Sequence, residues 1–181
     1  MSAVSNSLSL LADFGGADEE TLALAMANAE TLLARLRFFR AAFGSDGPIT
    51  DLAAAKKITE DYLKSVENRS VRLSCVWETD EDLPLPFCRL FLLGAQIGAE
   101  TLIRGGTITI TASSSGVGVR AEGPVVKTDN DAVAFLNGTL EKPTPKAAPA
   151  MLSAAFAAEN GLTAKVDSDD TYFSLTFLHN G

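Results

Sequence analysis

The apolar residues at positions 18–43 follow a heptad pattern, which leaves the chain few ways to fold. They alternate in steps of three and four, and they are Leu22, Ala25, Ala29, Leu32, Leu36, Phe39 and Phe43. This spacing is typical of a long helix that packs lengthwise on other helices. Asp18 precedes the pattern as a candidate cap, and Gly44 follows it as a candidate stop. We therefore predict a helix of about 26 residues, roughly 39 Å long.

A second apolar stripe, at Met26 and Leu33, widens this face beyond the seam of a two-stranded coiled coil. A shorter amphipathic helix is predicted at residues 2–12, and residues 13–17 are the right length for the turn of an antiparallel hairpin. Because two helices cannot enclose a bundle core, we predict a homodimer in which two hairpins form a four-helix bundle. The expected interface residues are Leu8, Leu11, Leu22, Ala25, Ala29, Leu32, Leu36 and Phe39. The alternative is that the long helix packs on the rest of its own chain.

The composition argues against several classes of partner. The 181 residues carry a net charge of −8, which argues against binding to nucleic acid or to an anionic membrane surface. No apolar run approaches the roughly 18 residues of a membrane span, and no basic-then-apolar leader opens the sequence, so we expect a cytoplasmic protein. Cys75 and Cys88 have no histidine near them in the sequence, and we expect reduced, buried thiols rather than metal ligands.

The pattern changes after Pro48 and predicts a second unit. In order, we predict a helix at 51–66, a strand at 71–77, a helix at 87–102, strands at 107–112 and 117–122, helices at 129–137 and 149–160, and strands at 162–166 and 172–178. That order suggests an α/β sandwich, with one mixed sheet and helices on one of its faces. The predicted fold class is therefore α+β, with a helical hairpin domain at residues 1–46 and a sandwich domain at residues 47–181.

Several stretches resemble known proteins of two-component signalling. Residues 91–110, FLLGAQIGAETLIRGGTITI, look like the helix, turn and strand of a histidine-kinase ATPase domain, and residues 159–178 look like its closing hairpin. Residues 2–13 (SAVSNSLSLLAD), 37–44 (RFFRAAFG) and 120–124 (RAEGP) are similar to alphaproteobacterial histidine phosphotransferases of the ChpT type. The resemblance implies a degenerate histidine-kinase ATP-binding domain behind a dimeric helical hairpin.

The resemblance also implies a function in a phosphorelay. In this family a histidine on the first bundle helix takes a phosphoryl group from a receiver domain of a hybrid histidine kinase. It then passes the group to the receiver domain of a response regulator. The receiver supplies the magnesium ion and the charges that hold the phosphoryl group, so the phosphotransferase needs no nucleotide.

The sequence departs from an ATP-binding kinase at two motifs. A kinase needs an asparagine on its buried helix to hold magnesium, whereas residues 92–98 read LLGAQIG, with Gln96 as a weak substitute. A kinase also needs an aspartate in a D-x-G-x-G loop, and residues 113–118, SSSGVG, offer none and are more typical of a hairpin turn. We therefore expect no ATP binding and no cofactor, and a nucleotide-binding protein is the weakest of our hypotheses.

The histidine that the family uses is absent from the expected place. The motif it belongs to would precede Ser2, and the sequence has a single histidine, His179, which we expect to be a frayed terminal residue. Two hypotheses follow: an N-terminal truncation of a phosphotransferase, or a homologue that has lost its nucleophile. In the second case the protein would be a catalytically inactive scaffold that binds receivers or a kinase, so whether the chain is an enzyme is left open.

We expect one surface to bind receiver domains. Small polar residues on the first helix would face a basic and aromatic patch on the second, and such a surface suits the carboxylate-rich pocket of a receiver. The residues are Ser2, Ser5, Asn6, Arg37, Phe38 and Arg40. The alternative for Arg35, Arg37 and Arg40 is that they only complement the helix dipole. The alternative for Phe38 is that it packs against the sandwich domain.

Overall fold

The computed structural model describes residues 19–44, 49–79, 84–142 and 144–179. The helices are α1 (Glu19–Phe43), α2 (Leu52–Val66), α3 (Leu85–Thr101), α4 (Asn130–Leu136) and α5 (Ala148–Glu159). The strands are β1 (Leu73–Thr79), β2 (Gly106–Ser113), β3 (Gly116–Glu122), β4 (Leu162–Ser168) and β5 (Tyr172–His179). Each element predicted within these residues is confirmed, with ends that differ by a few positions. The predicted helix at 2–12, with Ser2, Ser5, Asn6, Leu8 and Leu11, lies outside the described residues.

The long helix and the one after it begin and end as their residues predict. α1 carries Glu19 and Glu20 in its first turn and Arg40 in its last, which matches the helix dipole. α2 is capped by Asp51, whose carboxylate accepts a hydrogen bond of 2.7 Å from the Ala54 amide. No helix in the described parts of the chain is long and apolar enough to cross a membrane.

The five strands form one mixed sheet in the order β1-β2-β3-β5-β4. β1 and β2 are parallel, and the other neighbouring pairs are antiparallel. Alternate residues such as Ile110, Val119 and Leu175 are buried under the helices. On the opposite face Thr111 and Arg120 are exposed. The predicted sheet with helices on one face is therefore confirmed.

The two cysteines lie in this sandwich as free thiols. Cys88 is buried on α3, as predicted, whereas Cys75 on β1 is only partly buried. Burial raises the pKa of Cys75 to about 12 and that of Cys88 to about 11. Both side chains are therefore protonated and poorly nucleophilic at neutral pH.

The central helix α3 lies close to the sheet because it carries two glycines on one side. A Cβ atom added at Gly94 would lie 2.6 Å from Val119 Cγ2, and one added at Gly98 would lie 3.3 Å from Ala121 Cβ. The first contact is impossible without a shift, while the second asks for only a small adjustment. Gly94 therefore sets the distance between α3 and β3.

We expect Gly94→Ala to destabilise the protein. Overpacking costs about 1–3 kcal/mol, which outweighs the gain of up to about 1 kcal/mol when a helical glycine becomes alanine. Urea unfolding should show a lower midpoint for this variant, and Gly98→Ala is the matched control with a much smaller loss. Val119→Ala combined with Gly94→Ala should cost less than the sum of the two single changes, because the clash is removed. An unchanged midpoint for Gly94→Ala would contradict this account of the packing.

Candidate functional site

The outer face of α1 leaves large apolar side chains in contact with solvent. Leu36 is 54% exposed and Phe39 is 39% exposed, although both belong to the predicted heptad seam. Exposed large apolar residues on this helix are Leu22, Leu24, Met26, Leu33, Leu36, Phe39 and Phe43. Apart from Leu24, these residues lie on one side of the helix, and an exposed apolar face of this kind is typical of an interaction surface.

The inner face of α1 is part of the sandwich core. Phe38, Ala41 and Ala42 are fully buried in the same cluster as the residues of α3 and the sheet. The ring of Phe38 stacks on Tyr62 of α2, with ring centres 3.8 Å apart and planes 15° from parallel. The interpretation of Phe38 as an exposed residue that binds a partner is therefore wrong, and its alternative, packing against the sandwich, is confirmed.

Polar contacts also fix the end of α1 to the sandwich. The guanidinium of Arg35 donates to the carbonyl oxygen of Ser65 at the end of α2. Arg89 of α3 donates to the carbonyl oxygen of Gly44 at 2.6 Å, and its guanidinium lies 4.5 Å from the ring centre of Phe156. The Arg35 guanidinium is therefore held against α2 within the chain, unlike Arg37 and Arg40 of the expected docking surface. The division at residue 46 stays a prediction, since α1 and the sandwich share one core.

Arg37 and Arg40 remain as the exposed cations of α1. Both side chains are exposed, and neither forms an ion pair within the described residues. Arg37 also lines a groove of about 600 Å³ between α1 and α2, together with Lys64. Lys64 could not be identified from the sequence, because the position of Lys64 opposite Arg37 depends on how α2 packs on α1.

A cleft lies where the resemblance to a kinase places the nucleotide, between α3 and the start of α5. Its volume is about 970 Å³, and residues 127–132 after β3 and 145–150 around the start of α5 form much of its lining. Phe43 at the end of α1 also lines it, so the cleft borders both predicted domains.

Carboxylates outnumber cations in the lining of the cleft. The lining contains three carboxylates, those of Glu100, Asp129 and Asp131, and two ammonium groups, those of Lys127 and Lys146. Lys146 Nζ lies 3.0 Å from Asp129 Oδ2, and this contact is the main reason why the pKa of the Asp129 carboxyl is lowered. The sequence analysis gave these residues no role, although Asp129 was readable as the cap of a short helix, and its carboxylate accepts from the Ala132 amide.

Gln96 lines the cleft and carries an unpaired, buried hydrogen-bond acceptor. This residue of α3 is 6% exposed, and its Nε2 donates to Glu100 Oε1 at 3.1 Å. Its Oε1 is buried and has no hydrogen-bond partner within the described residues. The structure thus places the suggested substitute for the kinase asparagine in the lining of the cleft.

The residues of the cleft do not fit a magnesium–triphosphate group. Three carboxylates repel a polyanion, and one of the two lysines is already paired with Asp129. Within the described residues no group of three or more histidine, cysteine, aspartate or glutamate side chains could hold a metal ion. The absence of ATP binding stays a prediction, and we derive no chemistry through a nucleotide.

Residues 113–118, the loop that lacks the aspartate of the kinase D-x-G-x-G motif, lie outside the described lining of the cleft. Ser113 at the end of β2 pairs with Gly116 at the start of β3, so residues 113–118 contain the hairpin turn that the sequence predicts, at residues 114 and 115. This turn does not contribute to the described lining of the cleft, whereas the segment after β3 does.

His179 also differs from its prediction. It is the last residue of β5 and pairs with Leu162 of β4, rather than fraying away from the sheet. Its ring centre lies 6.3 Å from that of Phe87 at the start of α3. The single histidine of the chain is therefore an exposed residue of the sheet and not of a bundle helix.

A long helix followed by a mixed sheet that helices cover on one face is the architecture of histidine-kinase ATPase-like folds. Residues 52–172 match the family model described as "Histidine phosphotransferase C-terminal domain". The chain therefore belongs to the histidine phosphotransferase family.

Individual relatives agree with this assignment. The protein phosphotransferase ChpT of Brucella abortus (strain 2308) is 32% identical over 117 residues, which are 62% of this chain and 53% of that protein. The chain thus spans about half the length of this relative. A solved bacterial phosphotransferase superposes with a TM-score of 0.79 at 24% identity, covering 97% of this chain and 86% of that one.

The fold is also similar to that of a histidine kinase domain. The histidine kinase domain of the blue-light activated histidine kinase EL346 from Erythrobacter litoralis superposes with a TM-score of 0.51 at 11% identity. The match covers 97% of this chain and 81% of that one. At this identity the likeness concerns the fold alone.

Proposed function

We propose that this protein binds receiver domains in a two-component phosphorelay and serves as a phosphotransferase between them. Its partners would be the receiver of a hybrid histidine kinase and the receivers of response regulators. The observation that carries the proposal is the outer face of α1, where an exposed apolar seam ends beside Arg37 and Arg40 in a chain of this family.

The apolar part of this face suits a second copy of the chain. The seam from Leu22 to Phe43 keeps heptad spacing along the whole of α1, and several of its large side chains are exposed in a single copy. A two-fold axis along the seam would bury the same residues of both copies and build a four-helix bundle with the preceding helices. We therefore propose that the protein is a homodimer.

The basic part of this face suits a receiver. The chain has a net charge of −8, yet Arg37, Arg40 and Lys64 have no ion-pair partner within the described residues, although Glu30 and Asp61 also line the groove that Arg37 and Lys64 share. A receiver domain presents carboxylates around its phosphorylated aspartate. Opposite charges of this kind accelerate association and fix the orientation of the two surfaces.

The proposed chemistry is a transfer between an aspartate and a histidine. A neutral imidazole nitrogen attacks the acyl phosphate of the receiver in line; the N–P bond forms while the O–P bond to the aspartate breaks, and the carboxylate is released. The receiver would contribute the magnesium ion. The phosphotransferase contributes the histidine, its orientation and the surface that brings the receiver close.

A second candidate function is a receiver-binding scaffold without transfer. It is favoured by one observation: the only histidine of the 181 residues, His179, lies on the sheet at the end of β5. Both candidates share the docking surface, so they differ only in the presence of a histidine on the first bundle helix.

We expect Arg37→Glu to weaken docking without disturbing the dimer. Reversing the charge on the proposed surface should lower the association rate constant with a receiver domain by about tenfold, and the loss should shrink at high salt. Surface plasmon resonance against receivers of the same genome measures this rate, and light scattering checks the dimer. Arg104→Glu is the matched control, because it makes the same charge change on the exposed turn after α3. Equal rates for Arg37→Glu and the control would place the docking surface elsewhere, most simply on the sandwich.

Phosphoryl transfer separates the two candidate functions. The 181-residue chain, incubated with a phosphorylated receiver, should gain no acid-labile phosphate, and His179→Ala should behave identically. A chain that carries a histidine on the helix before Ser2 should become phosphorylated if the protein is a phosphotransferase, and should not if it is a scaffold. Labelling of the 181-residue chain that disappears in His179→Ala would overturn the proposed location of the histidine.

A further inference from the structure

The cleft beside α3 is built for a ligand of a different charge from a nucleotide. Its volume of about 970 Å³ is ample for a small molecule, and three carboxylates line it against two lysines. Lys146 is already paired with Asp129. The charges that remain for a ligand are the carboxylates of Glu100 and Asp131 and the ammonium group of Lys127. The surplus of negative charge favours a cation.

A buried acceptor of a residue that lines the cleft lacks a hydrogen-bond donor. Gln96 Oε1 has no partner within the described residues, although the side chain is more than nine-tenths buried. Native proteins seldom leave such an acceptor unpaired, because the lost solvation is not recovered. Glu100 lies next to it, since its Oε1 accepts from Gln96 Nε2. A ligand with several N–H groups would satisfy both side chains at once.

The raised pKa of a lysine in the cleft also indicates that the cleft favours a positively charged ligand. The pKa of Lys146 is raised, chiefly by its hydrogen bond to Asp129 and further by the nearby carboxylates of Glu100 and Asp131. A protonated nitrogen is therefore stabilised there by groups other than its direct partner.

The remaining walls suit an apolar stem. Ile97, Ile103 and Ala150 line the cleft, and Phe43 borders it from the end of α1. Ile103 and Phe43 are exposed at this border, although both are large and apolar. A ligand with an aliphatic portion would cover them.

We propose that this cleft binds a guanidinium group on an apolar stem, with the planar cation donating to Gln96 Oε1 and to the Glu100 carboxylate and its stem against Ile97 and Ile103. A guanidinium fits because it combines a fixed positive charge with five N–H donors in one plane. The cation site at Gln96 and Glu100 lies apart from Arg37 and Arg40, which would bind receivers, and Phe43 alone borders both the cleft and the α1 seam. The proposal therefore adds to the proposed function and does not rest on it. The group could belong to a free small molecule or to an arginine side chain of another protein.

Matched probes test the charge and the source. Calorimetric titration should show saturable binding of n-butylguanidinium with a Kd on the order of 1 mM, and at least tenfold weaker binding of its neutral isostere n-butylurea. Agmatine and the peptide Gly-Arg-Gly then distinguish a free ligand from an arginine side chain by which of them binds more tightly. Equal binding of butylguanidinium and butylurea, or binding of inorganic phosphate or ATP in their place, would overturn the proposal.

Variants of the whole chain test the residues. Glu100→Gln should weaken butylguanidinium binding about tenfold, whereas Glu159→Gln, at the end of α5 and outside the described lining, should leave it unchanged. Gln96→Leu should abolish binding and raise the melting temperature of the ligand-free protein, because it removes an unpaired buried acceptor. Equal affinities for Glu100→Gln and Glu159→Gln, or a Gln96→Leu variant that still binds, would overturn the assignment. Receiver binding should be unchanged in these variants, so a failure here is distinguishable from a failure of the proposed function.

Discussion

Leu36→Asp should convert the proposed dimer into folded monomers. Leu36 is 54% exposed in a single copy, so the change costs that copy little, whereas the proposed bundle would enclose it. An unpaired carboxylate in an apolar interface costs several kcal/mol, and two-fold symmetry applies this cost twice per dimer. Light scattering should show half the wild-type mass, with the far-ultraviolet circular dichroism of the sandwich retained.

A change on the same helix but off the seam provides the control for this experiment. Leu24 is also exposed on α1, yet it lies outside the heptad positions, so Leu24→Asp should remain dimeric. Leu32→Asp is less informative, because Leu32 is partly buried in a single copy and the change would disturb folding as well. A monomeric wild-type protein, or equal dissociation of Leu24→Asp and Leu36→Asp, would defeat the proposed interface.

Phe38→Ala should lower the free energy of unfolding by about 3–5 kcal/mol, the usual cost of removing a buried phenylalanine side chain. Phe38 is 0% exposed, and its ring stacks on Tyr62, so its loss opens a cavity between α1 and α2. Urea unfolding measures the loss, which should not depend on protein concentration because the contact lies within one chain.

The neighbouring residue separates folding from association. Phe39 is 39% exposed and belongs to the proposed dimer seam. Phe39→Ala should therefore cost less in a single chain, and its effect should grow with protein concentration, since it weakens the dimer that adds to stability. Equal, concentration-independent losses in both variants would show that the two rings serve the same core and would remove Phe39 from the interface.

These two pairs of experiments examine one property of α1, which has an apolar surface on each of two sides. The inner side holds the sandwich through Phe38, Ala41 and Ala42, and the outer side carries the seam. Because the inner contacts are fully buried and reinforced by Arg35 and Arg89, the outer face has a fixed orientation relative to the sheet. A receiver that binds α1 would therefore always meet the sandwich in the same place.

Much of the fold followed from local patterns. The order of helices and strands and the mixed sheet were predictable because each depends on residues close in the chain or on simple periodicity. The family could also be identified from the sequence, since its motifs are contiguous. The division of α1 between two neighbours could not be assigned so directly.

The heptad pattern is enough to predict a long apolar helix at α1, whereas the packing of α2 and the sheet sets which side of it faces which neighbour. Phe38, Ala41 and Ala42 are spaced as a second helical stripe, but a stripe does not name the surface that covers it. Arg35 likewise reads as a surface cation until α2 brings the Ser65 carbonyl to it. The cleft depends even more on long-range packing, because its lining joins α3, the segment after β3 and the start of α5, which lie up to about 50 residues apart in the chain.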